Sequence, residues 1–337
     1  MRFATVADFE AALSSLPRPD GSAIAAAQAR QAQLTKPAGS LGRLEDIAVF
    51  FAGWQGRERP VLDRALAVVF AGNHGVTAQG ISAFPGEVTA QMVANFEAGG
   101  AAINALSRAA GLGLRVVPLD LDQPTADFTA APAMSDEECL SALSAGAGAV
   151  EPGLDLFVPG EMGIGNTTSA AALCARVFGG ATAEWVGPGT GMDSAGMARK
   201  AEVIETALAY HAKAPHSPFE TLRRLGGREI AAMAGAVLHA RLLRVPVLLD
   251  GFIACAAIAP LSASNRAITD HCLAGHCSAE PGHVYLLERL GLEPLLRLGM
   301  RLGEGSGAAV AAQIVRSALA AHGQMATFAE AGVSGAA

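Results

Sequence analysis

The sequence predicts an α/β protein: a Rossmann-like parallel sheet with helices on both faces, plus a small helical domain built from both chain ends. Three observations predict it. Short apolar runs alternate with helix-length segments, the pattern of a parallel sheet covered on both sides. Glycine clusters tend to follow these runs and precede helices, as at the carboxyl edge of an open α/β sheet. Hydrophobic residues make up 51% of the 337 residues and charged residues 16%, enough to bury a large core and too apolar for a disordered chain.

The elements follow in order. Leu66–Ala71 is the first strand and ends at Gly72-Asn73-His74-Gly75. A long helical stretch runs from Glu87 to Ala110. Further strands are expected at Arg115–Leu119, at Asp155–Val158 before Pro159-Gly160-Glu161, at Ala183–Val186 before Gly187-Pro188-Gly189-Thr190-Gly191, and at Val245–Leu249 before Asp250-Gly251. Helices are expected near Thr167–Phe178, Ser194–Ala212 and Arg228–Leu243. An Ala/Gln helix covers about Gly21–Leu34, and 284–337 reads as helical. The large domain is placed at 61–290 and the small one at 1–60 with 291–337.

Composition removes several classes of function. The net charge is −7, whereas coating nucleic acid needs clustered Lys and Arg. Aromatics are 5%, too sparse for base-stacking platforms. The longest apolar stretch, 245–261, is interrupted by Asp250 and Gly251 and fits a buried strand, turn and helix better than a bilayer span. No apolar segment follows Met1-Arg2-Phe3, so no signal peptide is read. Five cysteines, an odd number in a core-rich chain, point to free thiols in a reducing, cytoplasmic compartment.

Four segments are candidate sites, each with a plainer reading. Gly160-Glu161-Met162-Gly163-Ile164-Gly165-Asn166-Thr167-Thr168 is either an anion nest at a helix N-terminus or a structural strand-to-helix turn capped by Asn166 or Thr167. It lacks the Gly-Lys-Ser/Thr of a P-loop and the GxGxxG of a dinucleotide site. Gly187–Gly191 is followed by Lys200, which is either a point charge for a phosphate or a surface lysine. His271, Cys272, His276, Cys277 and His283 fit no standard zinc spacing and read as polar loop residues after a strand. Glu304, flanked by Gly303 and Gly305, is either a general base on a narrow turn or an acid complementing the dipole of a helix at Ala308–Ala321.

Several ordered strings carry a resemblance over nearly the whole chain: 36–45 (KPAGSLGRLE), 73–76 (NHGV), Pro85–Thr89, Gly160–Thr168, 246–252 (PVLLDGF), Ser278-Ala279-Glu280 and 300–307 (MRLGEGSG). Together they resemble the nicotinate-nucleotide–dimethylbenzimidazole phosphoribosyltransferase family of cobalamin lower-ligand assembly. The resemblance implies transfer of phosphoribose from nicotinate mononucleotide to 5,6-dimethylbenzimidazole, without metal or organic cofactor, in a homodimer. It implies Glu304 as general base and Glu161 as the carboxylate beside the ribose. The phosphate is expected against Gly163, Gly165, Asn166 and Thr167, with Gly189, Thr190, Gly191, Lys200 and Ser278 contributing. The base is expected among Phe84, Pro85, Val88, Met92, Leu302 and Gly303. Phe84 varies in the family, which leaves the exact base open. A transferase for another azole or purine and a non-catalytic nucleotide-binding module are the alternatives, and the glycine pattern disfavours a nicotinamide dehydrogenase.

Overall fold

The computed structural model describes residues 1–334; the last three positions of the expected 291–337 segment lie outside the described residues. Six strands form one parallel sheet: β1 Ala65–Ala71, β2 Gly113–Pro118, β3 Leu156–Met162, β4 Val247–Leu249, β5 Cys272–His276 and β6 Pro294–Leu296. Their spatial order is β2-β1-β3-β4-β5-β6. The order reverses between β1 and β3, where open α/β sheets leave a crevice beyond the strand ends. In register, Ala71 faces Met162, so both strands deliver their following turns to one place.

Alternation along β1 builds two cores. Val68 and Phe70 join one cluster with the helices Asn166–Phe178, Arg228–Leu242 and Phe252–Ser264. Ala67 and Val69 join the other with the helices Arg43–Gln55 and Ser306–Gln324. This is the period of two expected of a strand buried on both faces. The chain ends meet on that second side. Leu34 bridges to Thr327, and the Arg30 guanidinium donates to the carbonyls of His322, Gly323 and Met325. The first helix, Val6–Ser14, packs against Pro218–Leu225 and Arg228–Leu242, with Phe9 tilted against Phe219.

Four expectations need correction. Residues 183–186 do not form a strand. Thr182–Trp185 is a short helix whose Trp185 stacks on Phe178 and donates its indole N–H to Gly179 O. The buried indole ties this segment to a helix, and the Gly187–Gly191 turn therefore follows a helix. The stretch from 271 is not a loop, because Cys272–His276 is β5, paired with β4. Residues 284–337 are not wholly helical, since they include β6. The stretch 87–110 splits into Glu87–Glu97 and Ala102–Ala110 at Gly99, whose φ of 79° no helix interior adopts. The structure also adds a helix at Asp136–Ala149, opened by a Ser135–Glu138 capping box.

Candidate active site

A cavity of about 300 Å³ opens at the carboxyl ends of β3, β4 and β5. Its walls come from separate stretches of chain, each led there by a strand or a helix start. Of the residues expected from sequence, Phe84, Glu161, Gly163, Asn166, Thr167, Gly189, Thr190, Ser278, Leu302 and Gly303 line it. Gly165, Gly191, Lys200, Pro85, Val88, Met92 and Glu304 are not in its wall. Pro85 borders a separate depression with Phe84 and Ser82, and Met92 packs on the second core.

The turn after β3 makes the floor. Gly165 has a φ of 95° and caps the helix Asn166–Phe178. A β-carbon on Gly163 would lie 2.7 Å from Gly72 O, so only glycine lets these strand ends approach so closely. At the helix start the Asn166 N–H donates to Gly163 O at 3.1 Å and the Thr168 N–H to Gly165 O at 3.0 Å, and this end carries the positive pole of the helix dipole. Beside them, Lys200 Nζ donates to Thr167 Oγ1 at 3.2 Å and to Gly187 O at 3.3 Å. Burial pulls the Lys200 ammonium below the usual lysine range, while Glu280 opposes that shift. This buried ammonium sits directly behind the turn at Gly189.

The carboxylates are unusual. Glu161 is 6% exposed and pushed up to about 8, first by burial and then by the charges of Asp250 and Glu229. Hydrogen bonds from Asn166 and from the Glu304 backbone N–H oppose the shift. A β-carbon on Gly303 would lie 2.2 Å from Glu161 Oε1, so the two carboxylate-bearing turns are pressed together. Glu304 has a left-handed φ of 65°, between Gly303 at 85° and Gly305 at 87°. Its Oε2 accepts the Ile103 N–H at 3.3 Å, and burial raises its carboxyl above the usual range. Its side chain thus caps the helix Ala102–Ala110, not its own following helix. Asp250 takes that second task and accepts from Gly305 N and Ala308 N.

Sequence reasoning assigned no role to Asp250, Phe252, Ile253, Glu280 or Arg301, all of which line the cavity. Glu280 Oε1 accepts the Gly189 N–H at 3.1 Å, and Arg301 donates to Gly189 O at 2.9 Å, so the Gly189 turn is held from both sides. An acid directly after an apolar strand, as at Asp250, was the signal present in the sequence. His276, read as a loop residue, ends β5, with Nε2 3.4 Å from Asp250 Oδ1. His271 Nε2 lies 3.1 Å from Val237 O and His283 Nδ1 3.0 Å from Ser278 Oγ; among the described residues no three His, Cys, Asp or Glu side chains converge as a metal site.

A glycine turn opening a helix, a buried ammonium and two carboxyls raised by burial lie together at the edge of a parallel sheet, a set of groups chemically suited to a small phosphorylated substrate. A family model described as phosphoribosyltransferase matches residues 16–333. The chain is 70% identical to the nicotinate-nucleotide–dimethylbenzimidazole phosphoribosyltransferase of Novosphingobium aromaticivorans, over 99% of this chain and 98% of that protein. It is 56% identical to the same-named protein of Cereibacter sphaeroides, over 98% of each. The crystal structure of CobT from Thermus thermophilus superposes with a TM-score of 0.88 at 42% identity, over 94% of this chain and 100% of that one. The chain belongs to the nicotinate-nucleotide–dimethylbenzimidazole phosphoribosyltransferase family. Among the described residues no helix is long and apolar enough to cross a membrane.

Proposed function

We infer that this enzyme transfers phosphoribose from nicotinate mononucleotide to 5,6-dimethylbenzimidazole, giving α-ribazole 5′-phosphate and nicotinate, in cobalamin biosynthesis. The observation that carries this reading is the 70% identity to a relative of that name across nearly both whole chains.

The chemistry is displacement at the anomeric carbon. The bond to the pyridinium nitrogen breaks and its electron pair stays on that nitrogen, which becomes the uncharged ring nitrogen of nicotinate. A benzimidazole nitrogen bonds to the opposite face, so a β-linked substrate yields an α-linked product. The attacking ring becomes cationic until its other N–H gives up a proton. Glu304 takes that proton as general base, and its burial suits the task by raising its affinity for one. The phosphate rests on the Gly163–Thr167 turn and the helix start behind it, with Lys200 supplying the buried positive charge. Gly189–Gly191 and Ser278 close that end. Phe84, Leu302 and Gly303 flank the flat base, with Pro85, Val88 and Met92 behind the rim.

Glu161 faces the ribose. Its carboxyl, at about 8, is largely protonated at neutral pH. A cationic pyridinium entering the cavity favours the ionised form, which then lies against the positive charge that develops on the sugar. A cytoplasmic homodimer completes this reading, and sedimentation equilibrium tests the assembly.

Product analysis tests the reaction. Purified protein with nicotinate mononucleotide and dimethylbenzimidazole is expected to release nicotinate and one α-linked nucleotide, read by mass spectrometry and NMR. Turnover only with another azole would move the substrate and keep the chemistry. No turnover with any base would overturn the reading.

A further inference from the structure

The buried side of the Gly163 turn holds three side chains that the chemistry above leaves without a task. His74 follows β1, Ser169 lies in the helix Asn166–Phe178 that opens at the nest, and Glu229 lies in the first turn of Arg228–Leu242. His74 Nε2 is 2.6 Å from Glu229 Oε1, and His74 Nδ1 is 3.0 Å from Ser169 Oγ. Their exposures are 2%, 0% and 0% for His74, Ser169 and Glu229. The second carboxylate oxygen, Glu229 Oε2, is buried and has no hydrogen-bond partner.

This chain of side chains touches the floor of the site. A β-carbon on Gly163 would lie 3.1 Å from Glu229 Oε1 and 3.2 Å from His74 Nε2. One on Gly227 would lie 2.2 Å from His74 Cε1, and one on Gly72 2.6 Å from Glu229 Oε2. Glycines at 72, 163 and 227 thus leave room for the imidazole and the carboxylate at the reversal point of the sheet. Such a pair gives little net stability compared with apolar packing of the same volume, because both groups lose their hydration. Its particular physical effect is directional. A short contact at each ring nitrogen fixes one distance to the nest helix and another to the helix across the sheet end.

We propose that His74 is a positioning residue, clamped between Ser169 and Glu229, that sets the height of the Gly163–Thr167 backbone under the substrate phosphate. It touches no substrate and acts through the turn above it. The inference rests on the reading that the phosphate lies on that turn.

The test uses the purified full chain with Ser169→Ala, His74→Gln and His74→Leu, and Lys200→Ala as a separate probe of the phosphate itself. KM for each substrate, kcat and Tm are measured. Ser169→Ala and His74→Leu are expected to raise KM for nicotinate mononucleotide about tenfold, the size of one lost directional hydrogen bond. KM for dimethylbenzimidazole is expected to stay within about twofold, since no base-flanking group moves. His74→Gln places an amide nitrogen where Nε2 was and loses the Nδ1 contact, so it is expected to raise KM for nicotinate mononucleotide no further than Ser169→Ala does. If Ser169→Ala leaves both KM values unchanged, or raises them together in step with a fall in Tm, the proposal is overturned. Should His74→Leu not fold, Ser169→Ala and His74→Gln decide the matter. A raised KM in Lys200→Ala alone would overturn the role of His74 and keep the phosphate reading. No rise in Lys200→Ala would instead remove the phosphate reading on which the proposal stands.

Discussion

Glu304 occupies a backbone conformation that costs a residue with a β-carbon about 1 kcal/mol or more, between two glycines that adopt it freely. The turn it forms aims a buried carboxyl at the junction of the Glu161 turn and the helix Ala102–Ala110. Glu304→Gln keeps the size of the side chain and its hydrogen bond from Ile103 N–H while replacing the carboxylate with an amide that takes up no proton at neutral pH. We expect kcat to fall about 10²- to 10⁴-fold, the usual span for a positioned base, with little change in either KM; steady-state kinetics at saturating substrates would check it. Lys200→Ala removes the buried charge behind the nest. Its expected effect is a rise of about tenfold or more in KM for nicotinate mononucleotide, with KM for dimethylbenzimidazole unchanged. A larger effect on the benzimidazole would place the phosphate elsewhere.

Between elements, the helices Asp136–Ala149 and Arg228–Leu242 approach each other closely at two glycines. A β-carbon on Gly146 would lie 1.7 Å from Ala232 O, and one on Gly235 would lie 2.0 Å from Leu143 O. Neither site leaves space for a methyl group, and both neighbours are backbone. Gly235→Ala is expected to destabilise by about 1–3 kcal/mol, as overpacking does. Gly148, in the first of these helices, has nothing within 4 Å of such a carbon. Gly148→Ala is expected to stabilise by up to about 1 kcal/mol through helix propensity. Denaturant melts of the two variants side by side test this reading of the interface. The same scale explains why 183–186 is not the expected strand. Ala183-Glu184-Trp185-Val186 is too short to show a period, and the stacking of Trp185 on Phe178 decides its conformation. β5 escapes a reading from sequence for the converse reason. Cys272-Leu273-Ala274-Gly275-His276 has no β-branched residue, and its pairing with β4 and β6 makes it a strand.

For the whole molecule, burial sets a pH dependence of opposite sign on the two sides of neutrality. Glu161 holds its proton up to about 8 in the folded chain, against about 4.5 for a solvated glutamate. Its raised value contributes stability that is complete below about 4.5 and is lost as pH rises through about 8. His271 and His283 are pushed down to about 3 by burial, with Arg241 adding to the first shift and His276 to the second. They contribute stability that is complete above about 6.5 and lost as pH falls toward about 3. Glu161→Gln is therefore expected to raise Tm at pH 8 and to leave it unchanged at pH 4. A Tm difference that is the same at both pH values would contradict the burial argument.

The parallel α/β class, the carboxyl-edge site and the family were legible in local signals: the apolar runs before 72 and 250, the glycines of 160–165 and the strings 73–76 and 300–307. These are short-range properties, since a left-handed turn or an open helix start needs particular residues at adjacent positions. The role-bearing surroundings were not legible. Glu304 capping a helix some 200 positions earlier, Asp250 capping the helix after Gly305, and His74 between Ser169 and Glu229 all depend on which strand lies beside which. Strand order and burial are set by packing the two faces of the sheet. Desolvation raises Glu161 and lowers His283 only once those faces close, which no single stretch of chain can encode.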